Sequence, residues 1–263
     1  MRLDGRMGAA VVLLGMLAAG ACEDSTGPGV RDQVAVRFAA VQPSAAAGTV
    51  SDGSLVITGT NGTLQIDSLF LVVDDFELKR LDDDDCDDVA DHESCEKFEA
   101  PPAFVNVPLD GSSDIAVRQS VPAGVYREFE FEVEDLDDDE ENPAKAQQIA
   151  TLRNQIRAQF PDWPKDASML VIGTFTPTGG APVAFRTYFE AEIEVEMDLV
   201  PPAVIDSTGG APSFTVRVDP TLFFRNGNGS VLDLAALNFS TTGQVVEFEV
   251  EIENGITEIE FDH

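Results

Sequence analysis

Residues 185–198 read Phe-Arg-Thr-Tyr-Phe-Glu-Ala-Glu-Ile-Glu-Val-Glu-Met-Asp. From Phe189 onward apolar and acidic residues alternate without a break. Phe189, Ala191, Ile193, Val195 and Met197 fall on one side, and Glu190, Glu192, Glu194, Glu196 and Asp198 on the other. A period of two belongs to a strand with one buried face and one solvated face. The pattern recurs in residues 128–134, with Phe129, Phe131 and Val133 inward, and in residues 246–253, with Val246, Phe248, Val250 and Ile252 inward. Three such strands predict an all-β chain, an antiparallel β-sandwich of roughly a dozen strands.

The rest of the chain extends that frame. Residues 34–41 open as a strand, and Gly59-Thr60-Asn61-Gly62 between two β-rich runs is a hairpin signal. Residues 68–80 predict a long strand, bent or paired. Pro101-Pro102 and Pro108 bracket a short strand at residues 104–107, which suits a sheet edge. Strands are also expected at residues 115–119 and 168–176, and a terminal hairpin joins residues 245–253 to 256–261 across Asn254-Gly255. One segment, about 143–160, is helical. Asn142 is a good N-cap, Pro143 suits the first turn, and Ile149, Leu152, Ile156 and Phe160 recur at spacings of three and four. It reads as a crossover helix laid on the sandwich, with Lys145, Arg153 and Arg157 placed to meet neighbouring carboxylates. Thr-Gly-Gly-Ala-Pro occurs at Thr178 and again at Thr208, which is turn chemistry. No linker divides residues 34–263, so a single domain is expected.

Composition narrows the function classes. Against 48 Asp and Glu there are 16 Lys and Arg, a net charge of −32, and the lysines are four: Lys79, Lys97, Lys145 and Lys165. Such a field repels nucleic acid and anionic lipid and attracts cations or a cationic partner. Same-face carboxylates on one strand stand about 7 Å apart, where repulsion in water is about 0.6 kcal/mol per neighbour before screening. A solvated acidic face is therefore tolerable beside a large core, without any bound metal.

The first residues carry an address. Arg2 and Arg6 precede an apolar run over residues 7–19, and Ala19-Gly20-Ala21 then leads to Cys22. This is the layout of a secretory signal, too short for a comfortable membrane span. Small residues immediately before a cysteine resemble the lipobox of bacterial lipoproteins. Ala19 stands where that family usually has Leu. The resemblance implies a signal peptide at 1–21, a lipidated Cys22 as the new N-terminus, and a flexible tether at 22–33. Residues 23–33 reach at most about 35 Å when extended, so the domain would sit near its membrane, at the periplasmic face or the cell surface. With Cys22 lipidated, Cys86 and Cys95 form an even pair in an oxidising compartment, as a disulfide needs. Closing a loop of about 10 residues is worth roughly 2.7 kcal/mol in chain entropy. The alternative is a pair of metal-binding thiolates with His92 nearby.

Between those cysteines lies a dense acidic tract. Asp83, Asp85 and Asp87 have the one-three-five spacing of calcium loops. Asp88 stands where such a loop needs Gly, and Ser94 where it needs Glu, so this is not an EF-hand. A disulfide-closed loop holding calcium weakly is one reading, and a solvated charge run is the other. Residues 135–141 form a second acidic cluster ahead of the helix, and residues 225–230 read as a turn.

Val121-Pro122-Ala123-Gly124-Val125-Tyr126, the long strand before it, and Val218-Asp219-Pro220-Thr221-Leu222-Phe223-Phe224 are similar to a group of uncharacterised bacterial lipoprotein domains. That likeness implies an extracytoplasmic β-sandwich and brings no activity or site residues with it. Catalysis has little support. His92 and His263 sit in no nucleophile or zinc motif, and Trp163, Tyr126 and Tyr188 are few aromatics for a sugar cleft. The expectation is a non-enzymatic envelope lipoprotein, structural or binding, with no cofactor. A calcium-dependent surface or adhesion module is the alternative, and an envelope hydrolase the third.

Overall fold

The longest strand, β4 (Gly62–Arg80), is the spine of the molecule. The computed structural model describes residues 31–44, 47–81, 97–136, 142–206, 212–248 and 255–262. Along one side of β4 lie, in succession, β3 (Ser54–Thr58), β6 (Ala103–Asn106) and β5 (Lys97–Ala100). Along the other side, β8 (Gly124–Val133) and β9 (Met169–Pro177) run antiparallel to β4 and meet end to end. Val133 is opposite Val73, and Met169 is opposite Leu71. A further line of chain covers them: β10 (Val183–Glu190) pairs with β9, and β11 (Ile193–Ile205) with β8. With β2 (Thr49–Ser51) on β3 and β13 (Val246–Glu247) on β10, this makes a ten-stranded sheet.

The alternating run at residues 189–198 is thus two strands and not one. The break is at Ala191 and Glu192, where the ladder partner changes from β9 to β8. Inward and outward sides keep their parity across it, because Phe189, Ala191, Ile193 and Val195 are all buried. All three lines are interrupted at this level. β4 bulges between Asp74 and Glu77, with Asp75 at φ 44°. The β8–β9 line is interrupted by the excursion through helix α1 (Pro143–Gln159), which starts and ends within one residue of the expected bounds. Ser168 stitches the level together. Its hydroxyl donates to the Ala191 carbonyl (2.8 Å) and accepts the Ala191 N–H (2.7 Å), and its carbonyl accepts the Val72 N–H (2.7 Å).

A four-stranded sheet packs on the inner face, in the order β14 (Ile256–Asp262), β12 (Ser213–Val218), β1 (Arg31–Ala40), β7 (Asp114–Pro122). Phe38 meets Phe76 and Phe131 edge-on between the sheets, and Phe129 stacks on Phe214. The sandwich is mixed and not purely antiparallel: β1 and β12 pair in parallel, as do β10 and β13. Each parallel pair joins segments far apart in the chain, which no hairpin constrains. The terminal hairpin is likewise not formed by the described residues, since β13 belongs to the larger sheet and β14 to the smaller. β1 starts at Arg31, so residues 31–33, expected in the tether, pair with Pro122, Val121 and Ser120.

The outer face of the ten-stranded sheet is covered only in part. Ile149, Leu152 and Ile156 of α1, with Phe160 and Trp163, pack on Phe70 and Val72 of β4, Leu170 of β9 and Tyr188 of β10. Burial on both faces explains why residues 69–74 of β4 are continuously buried. Two short helices, α2 (Pro220–Phe224) and α3 (Phe239–Thr242), complete the described elements. Tyr126 ends the predicted Val-Pro-Ala-Gly turn by donating its hydroxyl to the Pro122 carbonyl at 2.8 Å. Residues 226–229 form the expected turn, closed by the Arg225–Val231 bridge.

Candidate functional site

Beyond the reach of α1, the outer face of β8 and β11 carries carboxylates in register. Glu132 is opposite Glu194, Glu130 opposite Glu196, and Glu128 opposite Asp198. Like charges directly opposite one another destabilise a sheet by about 0.2–1 kcal/mol per pair. The lysines offset this from one side only. Lys79 on β4 reaches Glu128 (2.5 Å) and Glu130 (2.6 Å), and Lys97 on β5 reaches Glu77 (2.9 Å) and Glu99 (2.8 Å). Both ammonium groups are held well above the usual lysine range by those carboxylate hydrogen bonds. Toward the β11 side, no described Lys or Arg makes an ion pair with Glu132, Glu194, Glu196 or Asp198.

At the level of the strand breaks the carboxylates crowd together. Asp74 is 2% exposed; its carboxylate accepts the Asp75 N–H (2.8 Å) and lies 3.6 Å from Lys145 of α1. Lys145 also bonds Asp75 at 2.6 Å. The helix therefore meets these carboxylates through Lys145, while Arg153 donates to the Leu136 carbonyl. Burial raises the Asp74 carboxyl above its ordinary value. Glu134, just past β8, is pushed up to about 7 by burial, with Glu132, Asp74 and Asp75 adding repulsion and Lys145 opposing it. Glu132 is raised too, by burial first and then by Asp75, Glu194 and Glu130.

Two groups on this face bring three carboxylate oxygens within 4.8 Å of one another: Asp75, Glu132 and Glu134, and Glu130, Glu132 and Glu194. Calcium takes six to eight oxygens. Three carboxylates with a lysine already bonded to one of them fit a partly hydrated cation better than a dedicated calcium cage. Asp83, Asp85 and Asp87 lie outside the described residues, as do Cys22, Cys86, Cys95, His92 and His263.

Two clefts border the acidic face and the helix. One of about 500 Å³ separates Pro101 and Pro102 from Gln147, Thr151 and Gln155 of α1, and one of about 390 Å³ lies between Glu194, Glu196 and Met197 of β11 and Ile256. Neither is lined by Glu134. Trp163, Tyr126 and Tyr188 are all buried. The alternation in the sequence marked the acidic face, but not the convergence of Asp74 and Asp75 on it. Its one signal is that two acids interrupt the apolar run Val72-Val73 and Phe76.

Fold and face together define a class: a mixed two-sheet sandwich, helix-covered over part of one outer face and lined with carboxylates over the rest. The chain matches no family model, no curated protein and no solved structure.

Proposed function

We propose that this chain is a cell-envelope lipoprotein, exported and lipidated at Cys22, whose domain has a structural or binding role and is not an enzyme. The leader, with its small residues before Cys22, supports the address. The binding reading rests on one observation, the three carboxylate pairs held in register across β8 and β11. A fold that keeps like charges face to face gains when a cationic species neutralises them. Trp163, Tyr126 and Tyr188 are buried, which supports the non-enzymatic reading over a sugar hydrolase. Substitution Cys22→Ser is expected to move the chain from the membrane fraction to the soluble fraction. Retention in membranes would defeat the lipid anchor.

A calcium-dependent surface module is the second reading, favoured by the two three-carboxylate groups. Thermal melts in EDTA, calcium, magnesium and sodium at matched ionic strength decide it, since a ligand bound only to the native state raises its stability. A calcium-specific rise abolished by Asp83→Asn, Asp85→Asn and Asp87→Asn assigns calcium to the acidic tract, and one abolished by Glu132→Gln and Glu134→Gln assigns it to the sheet face. Equal shifts in every salt mean screening alone, and the calcium reading falls.

A further inference from the structure

Next to the carboxylate rows, the outer face ends in an apolar row that crosses from the end of β4 to β8 and β11. Leu81, just past β4, donates its N–H to the Val125 carbonyl (2.9 Å), and Val125 of β8 is the register partner of Val204 of β11. Leu81 is 45% exposed, Val125 38% and Val204 45%, and Val200, in the bulge between Asp198 and Ala203, is 88% exposed. The neighbours Tyr126, Ala203 and Ile205 are buried in the core, so these valines point away from it. Single exposed aliphatics need no explanation, whereas a contiguous row beside a charged rim marks a contact surface. Helix α1 lies at the other end of the sheet, over Phe70, Val72, Leu170 and Tyr188.

We propose that this end of the β8–β11 face is a docking surface for an extended basic segment of another protein, with basic side chains on the carboxylate rows and an aliphatic end on Leu81, Val125 and Val204. Charge complementarity selects the occupant. Around the buried Glu128 the adjoining rows hold Glu130, Glu132, Glu194, Glu196 and Asp198; Lys79 is bonded to Glu128 and Glu130, and Arg127 is exposed on the same strand. A second copy would set carboxylates against carboxylates at a net −32 each, and an anionic lipid surface is repelled in the same way. The extended form follows from spacing. Glu194, Glu196 and Asp198 recur at every second residue, about 7 Å apart, which is the repeat of alternate side chains on a strand and not of a helix. This inference rests on the non-enzymatic binding reading above and gives its partner a chemistry.

The test uses a fluorescent peptide that alternates Lys and Thr and ends in a pair of valines, titrated onto the full detergent-solubilised chain at physiological salt. Saturable one-to-one binding is expected. Glu194→Gln with Glu196→Gln should weaken it about tenfold or more, a loss of about 1.4 kcal/mol. The equal charge change Glu258→Gln with Asp262→Asn, on β14 of the other sheet, should leave it unchanged. Val125→Ser with Val204→Ser should weaken it at every salt concentration. Equal loss from both carboxylate variants, full affinity after the valine changes, or no saturation would each overturn the proposal. The carboxylate variants relieve repulsion and should melt no lower than the parent, so loss of binding is not loss of fold. The membrane-release and cation-melt results are independent readouts, so this inference and the binding reading fail separately.

Discussion

Ser168 holds two of the strand breaks with one hydroxyl, buried and bonded both to the N–H and to the carbonyl of Ala191. Removing that oxygen leaves a backbone donor and an acceptor unsatisfied in the core, at a cost of about 1–3 kcal/mol. Ser168→Ala is expected to lower the unfolding free energy by about 2 kcal/mol in a denaturant titration. A change near zero would show that other bonds close the break. Glu134 makes a second prediction at this scale. Its carboxyl is held at about 7 in the fold against an ordinary 4.5, so the folded chain binds the proton more tightly than the unfolded chain. The stability this contributes is complete below about pH 4.5 and is lost as pH rises through about 7, opposite to the usual carboxylate. The groups facing it are Glu132 from β8, Asp74 and Asp75 from β4 and Lys145 from α1. Melts between about pH 5 and about pH 8 should show the parent losing stability and Glu134→Gln losing less. Identical profiles would place the titration elsewhere. Neither residue announces itself in the sequence, because Ser168 bonds a residue more than 20 positions away, and Glu134 is set apart first by burial, then by Glu132 beside it and by Asp74 and Asp75 about 60 positions back.

Helix α1 was legible almost to the residue, because its evidence is local. Asn142 accepts the N–H groups of Ala144 and Lys145 as an N-cap does, and Ile149, Leu152 and Ile156 are the buried stripe. Asn142→Ala should cost about 1 kcal/mol and Ile156→Ala about 2–5 kcal/mol, measured by chemical denaturation. A smaller loss at Ile156 would mean that the helix packs loosely on the sheet. The acidic strands were legible in their alternation and not in their partners. A period of two states which side of a strand is wet, and Phe189 to Val195 keep that assignment. It does not state where the ladder passes from β9 to β8, nor that β1 lies parallel to β12. Those choices are made by packing between segments far apart in the chain. The carboxylate face was visible as two of the three acidic stripes, residues 128–134 and 189–198. It became a site only when register set β8 against β11 and the β4 kink brought Asp74 and Asp75 beside them.

At the scale of the whole molecule, charge is distributed unevenly. Three of the four lysines, Lys79, Lys97 and Lys145, are bonded to carboxylates around this one face. They sit on β4, β5 and α1, so the balance deteriorates across the sheet toward β11. That gradient opposes folding through self-repulsion, and salt screens it over a Debye length of about 8 Å under physiological conditions. Stability should therefore rise with sodium chloride. Glu194→Gln with Glu196→Gln should raise the baseline by about 0.2–1 kcal/mol for each opposed pair it relieves and flatten the salt dependence. Paired melts at low and physiological salt measure both effects. The opposite result, a variant less stable than the parent in a buffer containing divalent cations but not in EDTA, would mean that the opposed carboxylates are held together by a bound cation. In that case the repulsion is the empty state of a site, and the calcium reading gains over docking of a basic chain. A variant more stable in both buffers leaves the carboxylates uncompensated in the free protein, the condition under which a cationic partner gains most by covering them.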